Sequence, residues 1–291
     1  MKKILLILIA ISIISCKNDP KKLVNITENV VAIDPYLDLY GNWVGDFKPS
    51  KYDENASYIS NNKINIVIKK IENNKVFGQS IVAGNIRNLE GELKKSNNSI
   101  KFLLKEPGDQ KYDGKFQFEF SNDTLKGKWT ANNKKIKVYE RNYALSKQKF
   151  VYNPKLMLSK DVMNIDYTSP KIDSISYTDD TDHKTYYETE ETYRQASNIV
   201  SKLNASTNLI KEKDIKNLKK IDLEILRNTI FARHGYSFKN EIARQFFDNV
   251  EWYIPISNDV SKQLTPTEKV NIALFERFEK YAKDNYMSFG R

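Results

Sequence analysis

The chain contains little cysteine and little histidine, and both shortages restrict its chemistry. Among its 291 residues there are one Cys and two His. A single Cys excludes an intramolecular disulfide framework and a Cys-rich zinc or iron–sulfur site. His183 and His234 lie far apart in the sequence, which leaves little material for a His-based metal cluster. We therefore predict no bound metal and no cofactor.

The chain also lacks the motifs of common catalytic and nucleic-acid-binding proteins. It has no Gly-x-Ser-x-Gly elbow, and no obvious Ser or Cys nucleophile stands at motif spacing from His234. No basic run alternates with aromatic residues. The acidic residues Asp179, Asp180 and Asp182 lack the glycine and closing Glu of a calcium loop. These absences predict no catalytic residues and no nucleic-acid partner.

The N-terminus has the pattern of a secretory signal. Two lysines precede an apolar stretch at residues 4–14, which is too short to cross a bilayer as a helix. The letters IISC, ending at Cys16, resemble the lipobox of bacterial lipoproteins. In that family the chain is cleaved before the Cys, whose sulfur receives a diacylglycerol and whose new amine is acylated. The resemblance implies a signal peptide at 1–15, lipidation of Cys16, a membrane anchor and a polar tether at 16–36.

The residue after the lipobox bears on localisation. Lys17 stands where an inner-membrane retention Asp occurs in enteric lipoproteins. By this resemblance the protein is sorted to the outer membrane, with its face undetermined. The segment Lys17-Asn18-Asp19 is also similar to the surface-export signals of Bacteroidota lipoproteins. An uncleaved leader with an incidental Cys is the alternative.

The charge of the mature chain favours anionic partners. Lys and Arg number 47 against 37 Asp and Glu, and loss of the two leader lysines leaves 45 − 37 = +8. Such a charge attracts lipid head groups or anionic envelope polymers. We therefore expect a cell-wall or outer-membrane component as a partner, in addition to the membrane itself.

Residues 37–150 are predicted to form an antiparallel β domain. Apolar residues alternate with polar ones, and Asn-, Gly- and Pro-containing turns separate the segments. An eight-stranded meander can close into a barrel, which removes its edges. The segment Gly41-Asn42-Trp43 resembles the Gly-x-Trp signature of lipocalin-like barrels; a split sandwich is the alternative. The predicted strands lie near 40–48, 58–71, 75–83, 86–95, 99–105, 114–120, 124–130 and 135–143.

Large apolar residues of this domain either line a ligand pocket or fill the interior. We favour the filled interior, because no polar residue recurs on the inward face to orient a ligand. The residues concerned are Trp43, Phe102, Phe116, Phe118 and Trp129.

Residues 151–206 are predicted to be a linker with a short β or helical segment. Alternation at 172–177 and an acidic run at 179–191 suggest a solvated hairpin tip, and 192–203 has the pattern of a helix. Asp123-Thr124-Leu125 and Asp173-Ser174-Ile175 resemble the O-glycosylation acceptors of Bacteroidota. Because such short patterns recur by chance, neither Thr124 nor Ser174 is assigned as a site.

The C-terminal region contains the most specific motif of the chain. Residues 222–238 read DLEILRNTIFARHGYSF, followed by Glu251-Trp252-Tyr253 and a second motif at 264–272. Together they resemble the YARHG domain of bacterial extracytoplasmic proteins, over 207–285. The family has no established activity, so the resemblance implies compartment and architecture. The name-giving Tyr is Phe231 here.

The motif also has a structural interpretation. Leu223, Leu226 and Ile230 recur at helical spacing, and Gly235 follows His234 where a left-handed residue would end the helix in a Schellman arrangement. A second helix is predicted over 240–250. Thr265 and Glu268 form the capping box of a third, with Pro at its first position. Its predicted apolar stripe consists of Val270, Leu274, Phe278 and Tyr281.

The motif residues also suggest a binding surface for an anionic or sugar ligand, since Arg binds anions bidentately and aromatic rings stack. The candidates are Arg227, Arg233, His234, Gly235, Trp252 and Tyr253. An enzyme acting on envelope glycans or peptides, with His234 paired to Glu251 or Asp248, is a second hypothesis. A carrier that holds a small apolar ligand in the barrel is a third.

The sequence thus predicts an α+β multidomain protein. It consists of an anchored antiparallel β-barrel or meander, a linker and a small three-helix YARHG-like module. The expected role is binding or structural, with the basic C-terminal module contacting an anionic envelope component or a partner protein.

Overall fold

The computed structural model describes residues 34–56, 59–96, 99–161 and 164–284. The predicted signal peptide, Cys16 and nearly all of the tether lie outside these residues. From Tyr36 onward the chain forms one compact unit. Within the described residues, every helix is too short or too polar to span a bilayer.

Eight strands form a closed antiparallel barrel in which each strand pairs with its sequence neighbours and β8 pairs with β1. This confirms the predicted barrel and excludes the split sandwich. Two-residue turns at Asn73-Asn74 and Asn122-Asp123 have positive φ at both positions, as tight hairpins require. The strands are β1 (Gly41–Tyr52), β2 (Asn62–Glu72), β3 (Lys75–Val82), β4 (Asn85–Ser96), β5 (Ser99–Lys105), β6 (Gly114–Ser121), β7 (Thr124–Ala131) and β8 (Val138–Gln148).

Side chains fill the barrel interior. Trp43 is buried at one end, where its indole N–H donates to the Leu39 carbonyl at 2.9 Å. Deeper in the interior, the rings of Phe102 and Phe118 stack with centroids 4.7 Å apart. Many further apolar side chains from all eight strands complete this core. The filled interior is therefore favoured over a ligand pocket.

The expectation that no polar residue recurs on the inward face is wrong. Ser80, Glu106 and Tyr143 are buried, and Glu106 accepts hydrogen bonds from Ser80 Oγ at 3.0 Å and Trp129 Nε1 at 3.3 Å. The Gly114 backbone N–H also donates to Glu106, at 2.8 Å. Burial raises the pKa of Glu106 despite these hydrogen bonds. Ser80, Glu106 and Trp129 thus bind one another, whereas the Tyr143 hydroxyl has no hydrogen-bond partner among the described residues.

The predicted linker contains a long hairpin, which we call the arm (residues 165–195). Its strands are β9 (Ile165–Thr178) and β10 (Thr185–Gln195), which pair with each other. The predicted helix at 192–203 is wrong: Thr192 and Arg194 continue β10, and only a 3-10 turn at Asn198–Ser201 follows. The start of β9 lies far from these residues in the sequence. Its hydrogen bonds with β10 override the helical tendency that the local spacing of apolar residues predicts.

Four helices follow the arm and, with the loops between them, form the C-terminal module (residues 196–284). They are α1 (Glu212–Ile215), α2 (Lys220–Arg233), α3 (Glu241–Phe247) and α4 (Pro266–Glu279). Three correspond to the predicted helices, and α1 was not predicted. Their buried residues form a second hydrophobic core.

The predicted apolar stripe of α4 is partly wrong. Val270 and Tyr281 are 55% and 82% exposed. The buried face instead contains Glu268, Asn271 and Phe275. Asn271 Nδ2 donates to the carbonyls of Ala205 and Asn208 at 2.7 and 2.8 Å, and its Oδ1 accepts from Ile210 N–H at 2.9 Å. Polar side chains therefore face inward because they satisfy buried backbone groups.

The module packs against the outer face of β2. The Lys63 backbone N–H donates to Asp248 Oδ2 at 2.9 Å, and Lys63 Nζ donates to the carbonyl of Tyr253 at 3.1 Å. Asn65 Nδ2 donates to the Pro255 carbonyl at 2.9 Å. Buried polar contacts thus join the two cores into one unit.

Candidate functional site

Helix α2 contains most of the motif at 222–238 and is called the signature helix below. It ends in a Schellman motif. Gly235 has φ +73°, a conformation that a residue with a side chain rarely adopts. The Tyr236 N–H donates to the Phe231 carbonyl at 3.1 Å and the Gly235 N–H donates to the Ala232 carbonyl at 2.9 Å. The rings of Phe231 and Tyr236 lie 5.8 Å apart, which is the apolar contact typical of this cap. Gly235 therefore has a backbone role, with His234 as the C-cap residue.

His234 lies inside the module in contact with two side chains. Its Nε2 is 2.8 Å from Glu268 Oε2, and its ring stacks on Tyr152 with centroids 4.2 Å apart. The Tyr152 hydroxyl donates to the other Glu268 oxygen at 3.0 Å. His234 is 7% exposed and Glu268 is fully buried. The carboxylate partner of His234 is therefore Glu268, rather than the Glu251 or Asp248 named in the enzyme hypothesis.

Glu268 also caps α4. Its Oε2 accepts from the Thr265 N–H at 2.9 Å, while the Thr265 hydroxyl accepts from the Glu268 N–H at 3.2 Å. These reciprocal bonds are the predicted capping box. Burial by itself would raise the pKa of Glu268, but hydrogen bonds from His234, Ser206 and Thr265 lower it to about 2. Burial and the nearby Glu268 raise the pKa of Tyr152 to about 12.

Arg233 is enclosed beside this network. It is 2% exposed and donates from Nε to the Leu156 carbonyl at 2.8 Å and from Nη1 to Ser206 Oγ at 3.0 Å. Burial lowers its pKa to about 10. With its donors directed at the protein, Arg233 holds the segment after the barrel against α2.

The remaining predicted binding residues have separate contacts. Tyr253 is 1% exposed and donates its hydroxyl to the Tyr236 carbonyl at 2.7 Å. The Trp252 indole donates to the Met157 carbonyl at 2.9 Å. Arg227 forms a bidentate ion pair with Glu279 at 2.6 and 3.1 Å. Trp252 and Arg233 line a common groove of about 460 Å³ and Arg227 lines a different one, so the predicted residues do not all share one cleft.

The C-terminal region is similar to a known domain family. Residues 180–280 match the YARHG domain. The chain carries a YARHG domain. The match covers about a third of the chain and starts within the arm, upstream of the predicted boundary at 207. No curated protein and no solved structure matches the chain.

The contacts of the arm agree with its inclusion in the YARHG domain. Arg194 of β10 donates to Asp284 at 2.7 Å, to Glu224 of α2 at 2.7 Å and to the buried Asp166 of β9 at 3.3 Å. The hydrogen bonds with Asp284 and Glu224 raise the pKa of Arg194 despite its partial burial. The base of the arm is thus fixed to the helices by a four-residue charge network.

A groove lies between the signature helix α2 and α3. We call it the α2–α3 groove; its volume is about 630 Å³. Apolar side chains of α2, α3 and the segment between them form its floor, and polar side chains form its rim. The floor includes Ile225, Phe231, Tyr236, Phe238, Ile242 and Phe246, and the rim includes Glu224, Arg227, Asn228, Lys239, Asn258 and Asp259.

Sequence reasoning found only Arg227 as a ligand-binding candidate in this groove. Phe231 and Tyr236, which form the apolar contact of the helix cap, are both only partly buried. The rim carries two acidic and two basic side chains, Glu224 and Asp259 against Arg227 and Lys239. The groove therefore offers aromatic faces and a charge-balanced rim. Within the described residues no group of three or more His, Cys, Asp or Glu is positioned to hold a metal ion.

Proposed function

We propose that this protein is a lipid-anchored cell-envelope protein that binds an envelope glycan through the α2–α3 groove of its YARHG domain. The observation that carries the proposal is the groove itself, in which an aromatic floor lies below a rim of amide and charged groups. Sites for small ligands typically combine an apolar concave surface with a few polar groups. The expected role is therefore binding.

The charge distribution favours an uncharged sugar over an anionic ligand in this groove. The residues 207–285 carry 14 Lys and Arg against 12 Asp and Glu, and residues 37–150 carry 21 against 13. The positive charge of the chain thus belongs mainly to the barrel, since residues 207–285 carry a net charge of 14 − 12 = +2. In addition, Arg227 is already paired with Glu279.

Other hypotheses have less support. An acid–base role for His234 requires an open cleft, whereas its 7% exposure and its hydrogen bond to Glu268 enclose it. A carrier role for the barrel requires a cavity, whereas packed aromatic side chains occupy its interior.

The groove can be tested with the compact unit from residue 36 onward and glycan strands isolated from bacterial cell wall. Phe231→Ala removes a ring from the floor, and Asn258→Ala removes an exposed amide from the rim. We expect each variant to bind about tenfold more weakly, as for a central contact residue. Val270→Ala, on the exposed side of α4, should bind like the wild type.

Two results would contradict the groove proposal. One is equal binding of glycan by all four proteins. The other is retention on vesicles of anionic lipid with none on glycan. Because Phe231→Ala also removes a helix-cap contact, its stability is measured by chemical denaturation, and Asn258→Ala provides the test that leaves packing intact.

The anchor is a separate proposal that rests on the lipobox-like sequence before Cys16. In a bacterial host, we expect the mature chain in the membrane fraction, with the mass of a triacylated Cys at its N-terminus. Cys16→Ser should leave the leader attached and the lipid absent. An intact leader with unmodified Cys16 in the wild-type protein would exclude lipid anchoring.

A further inference from the structure

The arm is an exposed two-stranded ribbon. Within the described residues β9 and β10 pair only with each other, and such a pair is marginally stable by itself in water. Large apolar side chains on it face solvent, including Tyr177 at 48% and Ile175 at 44% exposure. Exposed apolar surface of this kind indicates an interaction site.

The arm is also strongly acidic. Residues 165–195 contain three Lys and Arg against eight Asp and Glu, a net charge of −5. Asp173 and Glu190 lie directly opposite each other across the two strands. Like charges in this position destabilise the pairing of the strands. Nearby on the same face, the rings of Tyr177 and Tyr186 stack at 5.7 Å. A cationic partner would relieve the repulsion and cover the rings.

The barrel presents the complementary surface on its side away from the YARHG domain. We call the outer face of β4–β7 the basic face. Lys94 lies directly opposite Lys101, and Lys105 directly opposite Lys115, so this face also carries like-charge pairs. At its centre a shallow groove of about 450 Å³ contains Leu103, which is 53% exposed. The exposed lysines of the face are Lys94, Lys101, Lys105, Lys115, Lys126 and Lys128, and the acidic residues on the same face are Glu90, Glu92 and Glu119. The face therefore carries a net charge of 6 − 3 = +3.

We propose that the arm of one copy binds the basic face of a second copy of this chain. Opposite charges on the two surfaces cancel the repulsion within each, and tyrosine and isoleucine side chains meet an apolar groove. Within one chain, Arg194 fixes the base of the arm to the YARHG domain, which packs on β2, whereas the basic face lies on β4–β7. A contact between unlike surfaces closes into a dimer or ring, or extends as a chain.

Self-association is measured by analytical ultracentrifugation of the unit from residue 36 onward. We expect oligomers at about 50 mM salt and monomers at about 500 mM salt, because ions screen exposed charges. The arm variant is Glu188→Lys with Glu190→Lys. The face variant is Lys94→Glu with Lys115→Glu, which replaces each Lys–Lys pair by an opposite-charge pair and so preserves the barrel. Each variant alone should associate at least about tenfold more weakly.

Mixing the two variants is the decisive step. The reversed arm of one then faces the reversed barrel face of the other, so we expect oligomers to return in the mixture. As a matched control, Glu54→Lys with Glu276→Lys makes the same charge change at exposed positions elsewhere and should associate at least as well as the wild type.

Several outcomes would overturn the proposal. The first is a wild-type protein that stays monomeric at low salt up to about 100 μM, a concentration far above the Kd of typical specific complexes. The second is an oligomer that neither charge reversal weakens. The third is a mixture of the two variants that stays monomeric. If the wild type is monomeric but binds anionic lipid vesicles, and the face variant loses that binding, the basic face recognises a lipid surface instead.

Discussion

At the residue scale, three consecutive residues of the signature have three different structural roles. Arg233 binds a loop carbonyl and Ser206, His234 binds Glu268, and Gly235 adopts the left-handed conformation that ends α2. Each role suits its residue type. Arg233 supplies several N–H donors, His234 supplies a ring nitrogen that can donate or accept, and Gly235 has no Cβ to oppose a positive φ. An added Cβ at Gly235 would also lie 2.9 Å from Ile256 Cγ1. Arg233, His234 and Gly235 therefore each have a role in folding.

The Glu268 carboxylate gives a prediction at this scale. Its pKa is lowered to about 2 in the folded protein, below the ordinary value near 4.5 for Glu. The stability it contributes is therefore present above about pH 4.5 and lost as the pH falls toward 2. We expect Glu268→Gln to lower the free energy of unfolding at pH 7 by about 2–4 kcal/mol, since it removes a buried charged partner.

Chemical denaturation between pH 2 and pH 7 checks this prediction. The wild type should lose stability across the acid interval, whereas Glu268→Gln should lose less. Glu276→Gln, on the exposed side of the same helix, should follow the wild-type curve. Wild-type stability of the Glu268→Gln variant at neutral pH would show that the capping network contributes little.

At the element scale, the arm is a hairpin in the region that the sequence predicted to be a linker. Its base is attached to the helices of the YARHG domain. Its strands bury little, and only its base contacts the helices. Asp166 there is fully buried, and its Oδ1 accepts from Gln245 of α3 at 3.3 Å. Arg194 supplies the compensating charge to Asp166, Glu224 and Asp284. The attachment therefore combines the hydrogen bonds of Gln245 with one guanidinium group, that of Arg194.

Removal of that group should detach the arm. Arg194→Ala leaves three neighbouring carboxylates without their cation, and we expect a loss of about 2–4 kcal/mol in the free energy of unfolding. Amide hydrogen exchange should rise first in β9 and β10. Arg194→Lys keeps the charge but loses the planar fork, so an intermediate effect is expected. Unchanged exchange in the Ala variant would contradict this account.

At the scale of the whole molecule, the barrel and the YARHG domain depend on each other. The domain is small, and a small core alone supplies limited stability. Asp248, at the end of α3, is 9% exposed and accepts the Lys63 backbone N–H of β2. Burial raises the pKa of Asp248 to about 7, although the hydrogen bond from Lys63 and the charge of Arg244 act in the opposite direction. The interface therefore contains a carboxyl group that titrates near neutrality.

This raised pKa predicts how the stability of the whole unit depends on pH. Protons bind Asp248 more tightly in the folded than in the unfolded chain, so its contribution is complete below about pH 3.8 and is lost as the pH rises through 7. The slope from one group is at most about 1.4 kcal/mol per pH unit. With Glu268 acting at lower pH, the two contributions together are expected to be maximal near about pH 4.

Denaturation of Asp248→Asn across pH 4 to 8 tests this expectation. The amide oxygen can still accept the Lys63 N–H, but it does not titrate, so the decrease in stability toward pH 8 should become flatter. Asp259→Asn changes an exposed carboxylate in a nearby loop and should retain the wild-type slope. An identical slope in the Asp248 variant would assign the pH dependence to another group.

Local patterns in the sequence were sufficient for the barrel strands and for the ends of the helices. Alternation and Asn-rich turns predicted eight strands because side chains of a strand point to opposite faces with a period of two. Gly235 and the Thr265–Glu268 box predicted helix ends because the groups that form these caps lie within a few residues. Both features depend on neighbours in the sequence.

The tertiary structure decided the features that join distant residues. Tyr152 and Glu268 are 116 residues apart, and Lys63 and Asp248 are 185 apart, so no local period relates them. The sequence by itself determined the eight barrel strands, three of the helices and which groups carry charge. Only folding determined which charges are buried, which side of the barrel remains exposed and that the signature residues lie inside, because burial depends on what packs against each residue.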